Sequence, residues 1–271
     1  MSHPKTNTGW RHLLGPLGRY RPGWLRRDLA AGFRNCDRLS VPHWAHLPDA
    51  CTSEERLLEN LLLDGKVVYD IGAHAGAFSL FFSRRVGPQG AVIAFEPCPA
   101  TFDRLRRNLE INAVTNVRPV PCALGREAAH RALYMLPGMP STASLAPEAR
   151  TRLRRRTAAV AVEPLDALAR RLSLPGPDFI KIDVEGMEVE VLAGATGTLR
   201  RWRPDVLVEI HGVGAHGRRC QAERITRLLT RLGYGLTHVE SRSDVAPGRA
   251  SVAAVGHLFA RCTPRLAHLP A

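Results

Sequence analysis

The chain has 271 residues, which is enough for one sizeable α/β domain and short for two. Its hydrophobic content of 45% is that of a globular protein, and no uncharged apolar run reaches the roughly 18 residues that a membrane helix needs. The net charge of +13 suggests a nucleic-acid partner, but nearly all of the 38 basic residues are arginine, and just 6% of residues are aromatic. Scattered arginines without aromatic neighbours favour a compositional bias over a phosphate-binding surface.

The first fifty residues predict an N-terminal extension rich in basic and aromatic side chains. No apolar segment of a secretory signal follows Met1, so we expect a cytoplasmic protein. We expect residues 1–10 to be disordered and the rest of the extension, up to residue 50, to form a short helical cap. The main domain is predicted over residues 51–271. Its first helix should have Ser53 as N-cap and end at Asp64-Gly65.

From residue 66 onward, short apolar runs alternate with helical segments. The predicted strands are 67–71, 91–95, 117–122, 179–183, 206–210, 235–239 and 255–260. The predicted helices are roughly 75–86, 100–112, 164–173, 188–202 and 219–232. Near-continuous apolar strands with helices between them are typical of a parallel sheet covered on both faces. The seven strands therefore predict a Rossmann-like α/β fold, in which Pro119 and Pro121 place the third strand near a sheet edge.

The segment over residues 126–163 interrupts this alternation. Its centre, Pro137–Ser144, has the Pro, Gly and Ser content of a flexible loop. Short extended pieces near 131–136 and 157–163 are predicted to flank it as a hairpin. Inserted loops on an α/β scaffold often carry substrate contacts, so this insertion is a candidate for acceptor binding, although loop polarity alone explains its serines equally well.

The turn after the first of these seven strands carries the first chemical signal. Gly72 and Gly76, with Ala73 between them, permit a sharp turn and a close backbone approach by a ligand. Dinucleotide oxidoreductases use a similar turn with the pattern GxGxxG, whereas His74 here would obstruct a pyrophosphate. Asp70 would also repel a pyrophosphate, but it suits the cationic amino group of S-adenosylmethionine. The turn therefore favours S-adenosylmethionine over NAD, and His74 either contacts the methionine carboxylate or only begins the helix.

Two further positions complete the predicted cofactor site. Glu96, followed by Pro97, ends the second of these strands in register with the glycine turn, where an acid can accept hydrogen bonds from both ribose hydroxyls. After the third, the small Ala123 would let adenine lie against the backbone. An ordinary turn at Ala123 is an equally good interpretation.

Several of these segments together resemble the FkbM family of methyltransferases. The matching segments are Asp70–Gly76, Phe95–Pro97, Asn108–Asn112, Pro164–Asp166 and Lys181–Gly186. The resemblance covers about residues 64–212 and implies a class I methyltransferase fold with a seven-stranded, mostly parallel sheet. It also implies S-adenosylmethionine as donor and O-methylation of hydroxyls on sugars, glycans or polyketide-type natural products. His74 stands where Asn is common in the family, and Pro164 where Thr or Val is common.

An alcohol acceptor needs a base or a cation near its hydroxyl. Lys181, Asp183 and Glu185 alternate along the fourth of these strands and are predicted to share one side of it. The alternative to a catalytic role is a Lys181–Asp183 salt bridge that only positions the following loop. Glu209 and His211 form a second same-side pair on the fifth. Either His211 or Asp183 is the predicted general base. As a third possibility, a divalent cation held by Asp183 and Glu209 would lower the pKa of the acceptor hydroxyl.

The remaining expectations concern metals and partners. We expect no structural metal, because the six cysteines form no ligand pairs. The expected partner is a small-molecule hydroxyl acceptor, with no nucleic acid and no membrane, and the oligomeric state is left open, with a homodimer as one option. An RNA methyltransferase is the first alternative, although Asp183–Gly186 lacks the Pro and aromatic residues that base-methylating enzymes commonly carry there. A non-catalytic relative that keeps the fold is the second.

Overall fold

The computed structural model of the protein describes residues 52–136, 139–145, 155–250 and 255–262, together with the backbone of two strands within residues 24–42. The strands are β1 (Trp24–Asp28), β2 (Arg38–Pro42), β3 (Val67–Ile71), β4 (Ala91–Phe95), β5 (Val117–Val120), β6 (Ala123–Leu124), β7 (Ala129–Leu136), β8 (Met139–Ser144), β9 (Arg155–Glu163), β10 (Phe179–Ile182), β11 (Asp205–Glu209), β12 (Tyr234–His238), β13 (Ser243–Val245) and β14 (His257–Cys262). The helices are α1 (Ser53–Glu59), α2 (Ala77–Val86), α3 (Pro99–Ile111), α4 (Leu165–Arg171), α5 (Glu188–Gly194), α6 (Thr196–Trp202) and α7 (Gly214–Arg231).

The main sheet has the strand order β13-β12-β14-β11-β10-β3-β4-β5. Strands β11, β10, β3, β4 and β5 pair in parallel, while β14 pairs antiparallel with both β11 and β12. Each of the seven predicted strands is present, and β5, which contains Pro119, is an edge strand as expected. The predicted Rossmann-like α/β fold is therefore confirmed. No helix in the described part of the chain is long and apolar enough to cross a membrane.

Among the described residues the main sheet has eight strands, one more than the seven predicted. The additional strand, β13, pairs antiparallel with β12 at the edge of the sheet. Its three residues include Ser243 and Asp244, which are both exposed. Such a segment contains no apolar run, so hydrophobic patterning does not reveal it.

Three predicted helices have clearly different boundaries in the structure, and one of them, α7, begins at Gly214 instead of near residue 219. The segment 188–202 forms two helices, α5 and α6, which meet at Ala195. The break adjoins a tight backbone contact, because a Cβ added to Gly194 would lie 2.0 Å from the carbonyl oxygen of Gly125. In α1 the N-cap is Thr52 instead of Ser53, since the Thr52 side chain and Glu55 form a reciprocal capping box. This helix also ends at Glu59, before the predicted Asp64-Gly65.

The insertion forms a second sheet with the strand order β6-β9-β7-β8. Strands β7 and β9 pair antiparallel, as the predicted hairpin required. The prediction of a flexible loop is wrong over Met139–Ser144, which pairs with β7 as strand β8. Pro140 is compatible with β8 because β8 is an edge strand, where proline is tolerated within sheets. Residues 137–138 and 146–154 of the predicted loop lie outside the described residues.

The N-terminal extension contains β1 and β2, which pair antiparallel with Leu25 opposite Val41. The predicted helical cap is therefore wrong for these ten residues. The apolar–polar alternation of Leu39-Ser40-Val41 has the period of a strand and agrees with this pairing. The other residues of the extension, including the predicted disordered segment 1–10, lie outside the described residues.

Side-chain alternation in the central strands places two charged groups inside the main sheet. Ile180 and Ile182 enter the larger hydrophobic core, and Phe179 enters the core cluster on the other face. Lys181 shares the face of Phe179, as the predicted alternation required. Its partner in register on β3 is Asp70, and the two residues are only 2% and 1% exposed. The sheet therefore buries a lysine and an aspartate beside the strand ends that form the site.

Candidate active site

The glycine turn joins β3 to α2 at the end of the parallel strands. Gly72 and Gly76 have φ values of 88° and 90°, in the left-handed region that favours glycine. A Cβ added to Gly72 would lie 1.8 Å from the main-chain oxygen of Asp183, and one on Gly76 would lie 2.6 Å from the Leu105 side chain. The loop after β10 makes a close approach at Gly72 that the sequence did not predict, and the approach of a ligand there stays a prediction. The turn and the loop after β10 are therefore in direct contact.

Asp70 is buried at the carboxyl end of β3. Its Oδ2 accepts a hydrogen bond of 2.6 Å from the Ser79 hydroxyl. Its Oδ1 is buried and has no hydrogen-bond partner among the described residues. Burial raises the pKa of Asp70 to about 6, although Lys181 and Ser79 favour the ionised form. An unsatisfied carboxylate oxygen beside a ligand-binding turn fits a cationic group of a ligand.

His74 lies in the middle of the turn, with a φ of 50°. Its backbone N–H donates to Oε2 of Glu96 at 2.9 Å, which links the turn to the end of β4. Its Nε2 is buried without a hydrogen-bond partner among the described residues. Burial, reinforced by the charge of Arg104, lowers the pKa of His74 to about 4, so the ring is neutral at neutral pH. A neutral ring with one open hydrogen-bonding position suits a polar group of a ligand.

Glu96 follows β4 and is 6% exposed. Its Oε1 accepts hydrogen bonds from the Cys98 N–H at 2.8 Å and the Thr101 hydroxyl at 2.7 Å, while its Oε2 accepts from the His74 N–H. Burial raises the pKa of Glu96 to about 6 despite these three bonds. Because a carboxylate oxygen can accept two hydrogen bonds, Oε2 retains capacity for a ligand hydroxyl. Glu96 is therefore both an anchor of the glycine turn and a candidate ribose contact.

The remaining predicted cofactor residues provide backbone and apolar surface. The Ala73 N–H donates to the Phe95 carbonyl at 3.0 Å, and Pro97 is partly buried directly after Glu96. Ala123 does not lie in an ordinary turn, because it belongs to β6, pairs with Val162 and is buried in an apolar cluster. The adenine contact at Ala123 stays a prediction.

Two residues of the family-like segments hold backbone around the site, a role that the sequence analysis did not assign. Asn108 is fully buried and donates from Nδ2 to the Ala75 carbonyl at 2.6 Å, which fixes the glycine turn. Asp166 accepts three hydrogen bonds of 2.7 Å, from the N–H of Gly197 and from the N–H and hydroxyl of Thr198. It therefore caps the first turn of α6.

Lys181 and Asp183 form the salt bridge that the sequence allowed. Lys181 Nζ lies 3.1 Å from Asp183 Oδ2, 3.8 Å from Glu54 Oε1 and 4.2 Å from the centre of the Phe78 ring. Burial disfavours its charge, but Asp183 and Glu54 outweigh this effect and hold the pKa of Lys181 above its ordinary value. Burial likewise opposes ionisation of Asp183, yet Lys181 and His211 hold the pKa of Asp183 well below its usual range. Both groups are therefore charged at neutral pH.

His211, which follows β11, brings the two predicted charged pairs together. Its Nδ1 lies 2.7 Å from Oε1 of the fully buried Glu188. Its Nε2 lies 3.8 Å from Asp183 Oδ1, 3.7 Å from Glu185 Oε2 and 3.5 Å from Glu209 Oε1. Burial would lower the pKa of His211, but the hydrogen bond to Glu188 and the surrounding acids raise it to about 10. A histidine with this pKa carries its proton at neutral pH, which argues against His211 as a free general base.

We call Asp183, Glu185, Glu209 and His211 the acid–histidine cluster. Glu185 has a left-handed φ of 53° and a side chain that is 43% exposed, so it lies at the open side of the cluster. Its carbonyl oxygen accepts a 2.7 Å hydrogen bond from the Ser144 hydroxyl of β8, which ties the second sheet to the site. The predicted same-side placement of the charged residues is therefore observed, although β10 itself ends at Ile182.

A second histidine extends this network behind Glu209. His257 on β14 has its Nε2 3.8 Å from Glu209 Oε2 and 3.4 Å from Glu54 Oε2, while its Nδ1 lies 2.7 Å from Glu240 Oε1. Burial opposes its protonation, but Glu54 and Glu240 raise the pKa of His257 well above its ordinary value. Burial and the nearby Asp183 raise the pKa of Glu209.

Four residues of this network, Glu54, Glu188, Glu240 and His257, were not predicted from the sequence. Glu54 directly follows the predicted N-cap Ser53 and had no predicted role in the site, whereas it is 5% exposed beside Lys181. Glu188 and His257 were not considered, and His257 reaches the site only because β14 pairs with β11. The available signal for Glu188 was its place two residues after Gly186 at the start of a predicted helix.

A comparison with family models identifies the domain. The model described as the methyltransferase FkbM domain matches residues 70–236, which is more than half of the chain. This range contains both the glycine turn and the acid–histidine cluster. The chain belongs to the FkbM methyltransferase family. The resemblance inferred from the sequence is thus confirmed.

Curated relatives agree with this assignment. Methyltransferase 1 of Beauveria bassiana is 35% identical over 48% of this chain and 59% of its own length. Methyltransferase sdnD of Sordaria araneosa is 32% identical over 68% of this chain and 79% of its own. The 31-O-demethyl-FK506 methyltransferase FkbM of Streptomyces tacrolimicus is 29% identical over 69% of this chain and 78% of its own. The match therefore spans less than two thirds of the Beauveria protein and more than two thirds of the other two.

Proposed function

We propose that this FkbM-family protein transfers a methyl group from S-adenosylmethionine to a hydroxyl oxygen of a small molecule, in the class of sugars, glycans or polyketide-type natural products. The observation that carries the proposal is the packing of Gly72 on the main chain of Asp183. This contact brings the glycine turn, which has the features of a cofactor site, next to the acid–histidine cluster. A relative named for a 31-O-demethyl substrate supports an oxygen acceptor.

The polar atoms around the glycine turn fit the proposed cofactor. Asp70 Oδ1 would receive the amino group, and the neutral His74 ring would face the methionine carboxylate. Glu96 Oε2 would accept from a ribose hydroxyl while Oε1 stays bound to Cys98 and Thr101. Each of these atoms has open hydrogen-bonding capacity, and a buried polar atom is stable only when that capacity is used.

In the proposed reaction a C–O bond forms at the acceptor hydroxyl as the methyl–sulfur bond breaks. S-adenosylmethionine supplies an electrophilic methyl group on a positively charged sulfur. The protein must then hold the hydroxyl about 3 Å from that methyl and receive its proton. The acid–histidine cluster is placed to receive the proton, because three carboxylates converge on His211 beside the glycine turn. Lys181 acts as a positioning residue, because it is enclosed by its partners and fixes the Asp183 carboxylate.

Calorimetric titration with S-adenosylhomocysteine tests the cofactor assignment, with NAD as the control ligand. We expect micromolar binding of S-adenosylhomocysteine alone. Binding of NAD alone, or of neither ligand, would contradict the proposal. An acceptor panel of hydroxylated sugars and polyketide scaffolds with radiolabelled donor then identifies the substrate class.

Substitution of Asp183 separates binding from chemistry. Asp183→Asn keeps the size of the side chain but removes its charge, so turnover should fall at least about 100-fold while the affinity for S-adenosylhomocysteine changes little. Glu223→Gln is a matched control, because Glu223 pairs with Arg227 on the exposed side of α7. If Asp183→Asn and Glu223→Gln turn over acceptor equally well, the acid–histidine cluster is not the catalytic group.

A further inference from the structure

We infer that Asp183, Glu209 and His211 form a binding site for one divalent cation of the Mn²⁺ type, whose role is to activate the acceptor hydroxyl. Each of the three residues offers one ligand atom, and these atoms lie within 4.8 Å of one another. The role in activation rests on the proposed function, whereas the binding of the cation does not.

The distances inside the acid–histidine cluster suit a shared cation better than hydrogen bonds. His211 Nε2 is 3.8 Å from Asp183 Oδ1 and 3.5 Å from Glu209 Oε1, beyond the usual hydrogen-bond length of about 2.7–3.2 Å. Two ligand atoms that bind one cation at about 2.1 Å each lie roughly 3.0–3.4 Å apart. The three ligand atoms lie within 4.8 Å of one another, so shifts of up to about 1 Å would bring them onto one ion.

The nitrogen that would bind the cation, Nε2 of His211, would release its proton on binding, because histidine binds a metal ion only in its neutral form. His211 is 8% exposed, and Nε2 makes no contact with a carboxylate shorter than 3.5 Å among the described residues. Its other nitrogen, Nδ1, is held at 2.7 Å by Glu188, which is completely buried. A carboxylate that binds one nitrogen of a histidine fixes the ring so that the other nitrogen faces the metal, and this arrangement recurs in metal sites. Glu188 is itself oriented by the Gly186 N–H at 2.9 Å.

The second oxygens of the two acidic ligands face neighbouring cations. Asp183 Oδ2 is 3.1 Å from Lys181, and Glu209 Oε2 is 3.8 Å from His257. Their first oxygens are therefore directed toward His211. An imidazole with two carboxylates matches Mn²⁺, which accepts both ligand types, better than Ca²⁺, which prefers oxygen alone.

The open side of the site determines where the acceptor would lie. Glu185 is 43% exposed and its Oε2 is 3.7 Å from His211 Nε2, at the side of the cluster that reaches solvent. An acceptor hydroxyl that bound the cation there would lose its proton more easily, because the positive charge stabilises the alkoxide. Glu185 would then receive the proton, while the three ligands hold the ion.

Binding of MnCl₂ to the full chain after treatment with EDTA tests the site directly. We expect one saturable Mn²⁺ site by electron paramagnetic resonance, with a nitrogen coupling that disappears in His211→Gln. Asp183→Asn and Glu209→Gln should each weaken binding at least about tenfold, and Glu188→Gln should do so by about 10–100-fold. Glu223→Gln should bind as the wild-type protein does, and circular dichroism would show that each variant is folded.

The activity measurement separates this inference from the proposed function. Methyl transfer should be lost in EDTA and restored by Mn²⁺. Absence of saturable binding, unchanged binding in both acid variants, or full turnover in EDTA would each overturn the inference. Saturable Mn²⁺ binding without any binding of S-adenosylhomocysteine would instead contradict the proposed function and leave the cation site standing.

Discussion

Two carboxyl groups at the glycine turn, Asp70 and Glu96, are buried and have pKa values raised to about 6. Their pKa values are higher in the folded than in the unfolded chain, where aspartate and glutamate titrate near 4. The folded state therefore binds their protons more tightly. The free energy of unfolding consequently falls as the pH rises from about 4 to about 6, and the cost is fully present above pH 6. A cationic or hydroxylated ligand bound beside these two carboxylates would reduce this loss of stability.

Asp70→Asn tests this cost. Without ligand, the free energy of unfolding of the variant relative to wild type should rise by about 2 kcal/mol when the pH is raised from 4 to 7.5. The reason is that the amide carries no charge and still accepts from Ser79. Chemical denaturation at the two pH values measures the difference. Ser79→Ala is the control, since it keeps the carboxyl group and should keep the pH dependence. A difference between wild type and Asp70→Asn that does not vary with pH would contradict the raised pKa.

Glu96→Gln tests the ribose contact. The affinity for S-adenosylhomocysteine should fall by about 1–3 kcal/mol, because an amide cannot replace both acceptor oxygens. Calorimetry gives the change. Thr101→Val is the matched control, since it removes one bond to Glu96 and leaves the carboxylate in place. Equal losses in the two variants would mean that Glu96 acts only by holding the turn.

At the scale of residues, the sequence predicted which side chains carry charge near the strand ends but not what they contact. Asp70 and Glu96 stand out because each is an acid at the end of an apolar strand. The approach of Asp183 to Gly72 depends on how two distant segments pack, and no local pattern encodes that distance. For the same reason Glu188 and His257 were missed.

The two glycines of the turn should respond differently to substitution. Both have positive φ, so each alanine variant adds backbone strain of about 1 kcal/mol. Gly72→Ala also sets a methyl group against the rigid main chain of Asp183, whereas Gly76→Ala meets the end of the movable Leu105 side chain. Gly72→Ala should therefore cost at least about 2 kcal/mol more in a denaturation experiment. Gly76→Ala being the more damaging change would contradict the described packing.

The start of α6 depends on Asp166. Asp166→Ala should lower the free energy of unfolding by about 1–2 kcal/mol, because three donors of Gly197 and Thr198 lose their acceptor. Thermal denaturation measures the loss. Asp166→Asn retains one acceptor oxygen, so its loss should be smaller, and equal losses would show that charge alone is responsible.

At the scale of elements, strands with continuous apolar runs were predicted well, and those without them were not. β3, β4, β10 and β11 are buried on both faces and therefore have an unmistakable composition. β8 and β13 lie at sheet edges, where composition is less constrained, and both were missed. The break between α5 and α6 was also missed, because it coincides with a contact to Gly125 that sequence spacing does not show.

For the whole molecule, the surplus of arginine is partly balanced by local ion pairs on the described surface. Arg126 and Arg224 both contact Glu190, and Arg171 contacts Glu163. These exposed pairs contribute little to stability, but they lower the positive potential that a nucleic acid would meet.

RNA binding should accordingly be weak and unspecific. In a filter-binding assay the affinity should fall steeply between 50 and about 200 mM salt, as expected when phosphate contacts alone act. S-adenosylhomocysteine should not change it. Tight binding that survives at about 200 mM salt would revive the RNA methyltransferase alternative.

The hydrogen bond from Ser144 to the Glu185 carbonyl has a consequence for protein engineering. The second sheet meets the acid–histidine cluster through the main chain of the residue that lines its open side. The insertion is therefore not a detachable module. A chimera that exchanges strands β7 to β9 with those of another family member, in order to change acceptor preference, should also carry the donor protein's loop 183–187.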